Sequence, residues 1–164
     1  MSFRIVGLEA GPFADYFRMS DAELRRSGAR VLIADAHPGY PCRVSLEDAR
    51  EGERVLLVNF TSHGFTDGSA PHPYRTAYAI YVRDGASQAE PVTDRLPPVF
   101  AGRTMSLRGF DQEGMMVRAL LAGPGEVEEG IATLFAEPRV ACIHAHNAAY
   151  GCFAARIERE GDGQ

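Results

Sequence analysis

The segment that most restricts how this chain can fold is RVACIHAHNAAYGCFAARIER, residues 139–159. Two apolar runs flank a short loop rich in Asn, Ala and Gly, the pattern of a β-hairpin. Pairing residues 140–146 with 152–158 around a loop at 147–151 sets His146 opposite Cys152, His144 opposite Ala154, Cys142 opposite Arg156 and Val140 opposite Glu158, all on one face. The other face then carries Ala141, Ile143, Ala145, Phe153, Ala155 and Ile157, and is wholly apolar. A one-residue slip of either strand would send half of that set to the polar side, so the hydrophobic pattern selects this register. Opposed residues hold their Cβ atoms about 4.5–5.5 Å apart. Cys152 and His146 are therefore expected to touch, with His144 on the same face, giving two imidazoles and a thiol at the loop end.

The rest of the chain supplies further strands and a few short helices. Residues 3–8 read as a strand broken by Gly11 and Pro12, residues 13–17 as a helical turn, and residues 21–27 as a helix with the Ser20/Glu23 spacing of a capping box. Residues 30–34 read as a strand and HPGYP, residues 37–41, as a turn that delivers Cys42 and Arg43. Ser45 and Asp48 suggest a brief helix ending near Gly52, followed by a buried strand at 54–60. Residues 61–73 form a long loop holding His63 and His72, of the kind that is usually functional or mobile. Residues 74–83 alternate as a strand, and residues 84–98 form a second polar, proline-bearing connection expected to be loose. Residues 103–110 and 115–121 pair around Asp111–Gly114, whose end residues suit a type I turn. Val127, Ile131, Leu134 and Phe135 make residues 126–136 an amphipathic helix stopped before Pro138.

No repeat, heptad or low-complexity tract interrupts this series. It predicts an α+β fold with a mainly antiparallel, curled sheet of about seven strands and two or three short helices. A chain of 164 residues fits one compact domain, residues 1–160, with 161–164 as a frayed tail.

Composition narrows the partners. A net charge of −5 opposes a nucleic-acid partner, since phosphate binding needs a basic field. All 17 basic residues are Arg, and the chain has no Lys or Trp. So uniform an absence of Lys points to codon bias more than to a preference for bidentate anion recognition. Three cysteines, Cys42, Cys142 and Cys152, form no paired disulfide framework and are expected reduced; Cys142 and Cys152 would lie roughly 13 Å apart along the ladder. The first residues lack the basic and apolar regions of a signal peptide or a membrane span, which makes the cytoplasm the default location.

With GYPCRVSLEDA (residues 39–49), PYRTAYAIYVR (73–83) and HAHNAAYGCFAARIER (144–159) in view, the chain resembles the bacterial family called domain of unknown function 1203. The Cys-Arg pair after the tyrosine-proline turn and the terminal His, Asn, Gly-Cys-Phe and Arg set carry the resemblance, which spans nearly the whole chain. It implies a single bacterial domain, and assigns no activity, substrate or cofactor to any residue.

Three chemical readings compete with a bland one. The first is a pocket for a small anionic molecule: Arg43 and Arg108 attract the anion, His144 and Asn147 help hold it, and Cys152 with His146 as its base forms a catalytic pair. Arg75 and Arg156 are further candidates for the anion, and Asn147 for donation to an oxyanion. The second is a zinc-type site using His144 and His146 with Cys152, for which His63 or His72 would have to supply a missing ligand. The cupin pattern of His-x-His followed by Glu is absent, since Tyr150 and Gly151 stand at the Glu positions. The third is a non-catalytic homodimer formed through a sheet face or strand edge of the apolar terminal hairpin. The bland reading makes the imidazoles hydrogen-bonded structural groups and the cysteines small packing residues.

Overall fold

The structure is a computed structural model, and it describes residues 2–62 and 71–161. Its strands are β1 (Phe3–Val6), β2 (Arg30–Ile33), β3 (Arg54–Ser62), β4 (Thr76–Arg83), β5 (Val92–Thr93), β6 (Met105–Phe110), β7 (Met116–Ala122), β8 (Cys142–Asn147) and β9 (Phe153–Arg159). Its helices are α1 (Gly11–Ala14), α2 (Asp21–Arg26) and α3 (Val127–Phe135), with 3-10 turns at Asp15–Arg18 and Pro98–Phe100. The strands form two sheets, ordered β5-β1-β9-β8-β6-β7 and β2-β3-β4, and every strand pair is antiparallel. This is the expected α+β class, with nine strands in place of seven among the described residues and two open sheets in place of one curled sheet.

Alternation decides which faces are covered. On one side of the large sheet, Ile5, Leu107, Ile143, Ala145, Ala155 and Ile157 join Ile131, Leu134 and Phe135 of α3 in the main core. Full burial of residues such as Ile143 and Ile157 contributes roughly 1.5–3 kcal/mol each. Gly130 lets α3 approach closely, because a Cβ there would stand 2.8 Å from Leu107 Cδ1. A second core joins Leu56, Val58, Ile80 and Val82 of the small sheet to Phe13 and Leu24 of the N-terminal helices. Ser20 and Glu23 cap α2 reciprocally, as their spacing predicts. Phe60 of the small sheet then meets Phe153 of the large one, with ring centroids 5.6 Å apart, so aromatic side chains join the two sheets on the face away from α3.

Three local expectations are corrected. Residues 45–52 form no helix: Leu46 has a positive φ of 54°, Pro41 bridges to Asp48, and the Asp48 carboxylate serves Gly39 N and Arg103. The connection at 84–98 is pinned, since it contributes β5, Ala89 N donates to Val44 O, and Asp94 accepts from Phe3 N. The loop expected at 61–73 loses its first two residues to β3; His63 and the other residues at 63–70 lie outside the described residues. The 111–114 turn forms as read, with Gly114 N donating to Asp111 O at 3.1 Å.

The terminal hairpin is present, but its register is displaced. Cys142 pairs with Glu158, Ile143 with Ile157, His144 with Arg156, and Ala145 with Ala155. A β-bulge follows, and His146 pairs with Phe153. Two residues separate the expected and observed partners along most of the ladder. As far as Ala155 such an even displacement leaves the same side chains on the same face, so the hydrophobic pattern cannot detect it; past the bulge the faces exchange, and Phe153, expected on the apolar face, packs against the imidazoles while Ala154 joins the main core. The loop decides instead: Asn147 N donates to Cys152 O and Gly151 N to Asn147 O, closing the turn one residue further out, with Gly151 at a φ of 70°. Val140 leaves the polar face and joins the core beside α3. The hairpin lies inside the sheet, between β1 and β6, and its apolar face is covered within the chain.

Candidate functional site

The displaced register separates the residues that the sequence groups together. Cys152 lies across from Asn147, and both line a cavity of about 610 Å³ with Arg43, Tyr78, Tyr81, Arg103 and Tyr150. His144, His146 and Arg108 line a different hollow of about 30 Å³. Tyr78 borders both spaces.

Arg43 organises the larger cavity. The strand-like segment after the HPGYP turn runs beside β4, where Cys42 bridges to Tyr81 and Arg43 N donates to Tyr81 O at 3.0 Å. That placement buries the Arg43 side chain to 2% exposure. Its Nε donates to Phe153 O at 2.6 Å, its Nη1 to Pro41 O, and its Nη2 to Cys152 Sγ at 3.0 Å. Among the described residues no carboxylate pairs with it. Burial lowers its pKa, opposed by the neighbouring Cys152 sulfur. A buried charge without a counter-ion costs several kcal/mol, so the site gains from any negative charge brought to its open side. By contrast Arg103, on the same wall, is held in a fork by Asp48 at 2.7 and 2.9 Å.

The walls fit a molecule with an apolar body. Leu57, Ala77 and Ala79 supply a floor, and the two alanines of β4 leave room that larger residues would fill. Tyr81 is steadied edge-on by Tyr40, with centroids 5.1 Å apart, and Tyr150 stands 85% exposed at the rim. Of these residues the sequence reading names Arg43, Asn147 and Cys152 for a pocket. It misses Tyr78, Tyr81, Ala77 and Ala79, although the alternation of β4 puts Ala77, Ala79 and Tyr81 on one face.

The expected Cys152–His146 hydrogen bond does not form. His146 Nδ1 meets Gly151 O at 3.2 Å, while the thiol receives Arg43. Cys42 and Cys142 are fully buried and all three cysteines are free; burial pushes the Cys142 thiol up to about 12. Cys152 is the partly exposed one.

The two imidazoles sit in the aromatic layer between the sheets. His144 is 4% exposed, boxed by Phe110 and Phe153 at 4.9 and 5.3 Å, with Arg108 and Arg156 paired to it across the neighbouring strands. His146 packs edge-on against Tyr78 at 4.9 Å. Burial, then His146, Arg156 and Arg108 in that order, push His144 down to about 3; burial and Arg108 push His146 down to about 4. Both rings are neutral at pH 7.

Flanking guanidinium groups repel a divalent cation as well as a proton. His72 is turned to backbone, accepting from Tyr74 N and meeting Glu113 O at 3.1 Å. Among the described residues no group of three or more His, Cys, Asp or Glu side chains could hold a metal ion. Of the other arginines considered for an anion, Arg156 pairs with Glu158 at 2.9 Å. Among the described residues no helix is long and apolar enough to cross a membrane.

The fold and site thus define an α+β protein with a buried arginine and a thiol at one cavity wall. Residues 39–159 match the family model described as Protein of unknown function (DUF1203), and the chain belongs to that family. The matched stretch contains Arg43, Tyr78, Tyr81, Asn147 and Cys152. No curated protein and no solved structure matches the chain.

Proposed function

We propose that the protein binds a small organic anion in the 610 Å³ cavity, its anionic group against Arg43 and Cys152 and its apolar body on Leu57, Ala77 and Ala79 among the tyrosines. The observation that carries this reading is the Arg43 guanidinium, 2% exposed and without a carboxylate partner among the described residues. A carboxylate or phosphate would supply the missing charge in a setting where charge-assisted hydrogen bonds are strong. Asn147 adds a donor at the same end. A ligand so held that carries a carbon–halogen bond would be open to the Cys152 sulfur, the carbon–sulfur bond forming as halide leaves and the thiol proton passes to solvent. A histidine base is not part of this arrangement, because His146 is turned to Gly151 O.

Alkylation selectivity tests the reading. Cys152 is the accessible thiol, so a folded sample should take up one equivalent of reagent. Anionic iodoacetate is expected to gain on neutral iodoacetamide by about tenfold relative to a free thiol, a difference of about 1.4 kcal/mol from one neighbouring cation. Benzoate or phenyl phosphate should slow both reagents. Loss of the preference in Arg43→Gln, with folding checked by circular dichroism, supports the assignment. If Arg43→Gln does not fold, protection by benzoate in the wild type decides. Equal rates for the two reagents, with no protection, would refute it.

A further inference from the structure

The hollow between the sheets has polar groups that the larger cavity does not use. His144 makes no side-chain hydrogen bond among the described residues, and Ser62, 5% exposed, likewise makes none. Both line the hollow. Where His146 donates from Nδ1 to Gly151 O, its Nε2 is left as a bare acceptor. Among the described residues Arg108 reaches only neutral oxygens at long range, Ser106 Oγ at 3.3 Å and the Tyr78 hydroxyl at 3.4 Å. Buried polar side chains normally find partners. Here several of them converge on one space.

We propose that this hollow is a second binding site, for a monoanion of about three heavy atoms such as formate, nitrite or azide, seated against Arg108 between His144, Ser62 and Tyr78. Its volume of about 30 Å³ sets the size, since one water-sized sphere needs roughly 10–15 Å³ of such space. The charge balance sets the sign. Arg108 from β6, Arg156 from β9, Tyr78 from β4, Tyr74 from the turn before it, and His146 from β8 itself face His144, with Arg43 beyond. Of the cations among them, Arg156 has Glu158, whereas Arg108 has no carboxylate among the described residues. An incoming anion supplies the partner that Arg108 lacks, beside a neutral His144.

Calorimetric titration of the wild type with sodium azide or formate, in two buffers of different ionisation heat, tests this. The heat should be the same in both buffers, because no proton is taken up, and the affinity should vary little between about pH 8 and pH 6. His144→Phe, which removes a polar group from the lining, should bind more weakly. Arg108→Gln should abolish binding, and Tyr78→Phe serves as the second variant if Arg108→Gln is unstable. Saturating benzoate, too large for a hollow of about 30 Å³, should leave azide binding unchanged, which separates this site from the larger cavity. Absence of binding at about pH 7, or binding unchanged in Arg108→Gln, would overturn the proposal.

Discussion

Lowering the pH from 7 to 5 should destabilise this protein chiefly through two side chains. His144 and His146 titrate near 3 and 4 in the fold and near 6.5 in an unfolded chain. Since the folded values are the lower ones, their stabilising contribution is complete above about pH 6.5 and is lost as the pH falls, because the unfolded chain then binds protons that the native state refuses. The loss levels off near pH 4 for His146 and near pH 3 for His144. Each site costs about 1.4 kcal/mol per pH unit, so at pH 5 the pair together removes roughly 4 kcal/mol. That is a large fraction of the roughly 5–15 kcal/mol that holds a domain together. Urea unfolding at several pH values between 7 and 5 measures it, in a window above the range where carboxylates protonate. His144→Gln and His146→Gln should each remove about half of the pH slope. A wild type whose stability is flat across this window, or a double variant that keeps the full slope, would refute the claim that both rings are neutral and buried.

Other perturbations separate packing from charge. Gly130→Ala should cost about 1–3 kcal/mol by denaturant unfolding, because the new methyl stands 2.8 Å from Leu107 Cδ1 and 3.0 Å from Leu120 Cδ1; a gain from helix propensity would show that α3 can retreat. Asp48→Asn removes the charge from the fork with Arg103 and should lower stability by about 1.5–3 kcal/mol in denaturant unfolding. Ile157→Ala, at 0% exposure between α3 and the sheet, should cost about 2–5 kcal/mol in the same assay.

The elements were legible where local chemistry alone decides them. Ser20 and Glu23 sit in sequence at the spacing their reciprocal bonds require, and Asp111–Gly114 carries its turn residues with it. The face assignment of β8 was legible too, because alternation survives an even displacement of register. What could not be read was the partner across the ladder, since a bulge at Ala154 and one added loop position leave no trace in hydrophobic periodicity. Residues 45–52 failed for a related reason: Ser45 and Asp48 look like caps, but their oxygens are claimed by Arg83 and Arg103, some 38 and 55 residues away. Arg43, His144, His146, Asn147 and Cys152 were all visible as chemistry-bearing residues. Their division between two spaces needed the fold.

One consequence of the bulge lies in the three successive residues Cys152, Phe153 and Ala154. The first borders the large cavity, the second stacks between the sheets, and the third belongs to the main core. A tripeptide is thus the junction of three compartments. Anything that seizes the sulfur pulls, two peptide bonds later, on both interiors, so chemistry at the rim should be felt in how tightly the whole molecule holds together.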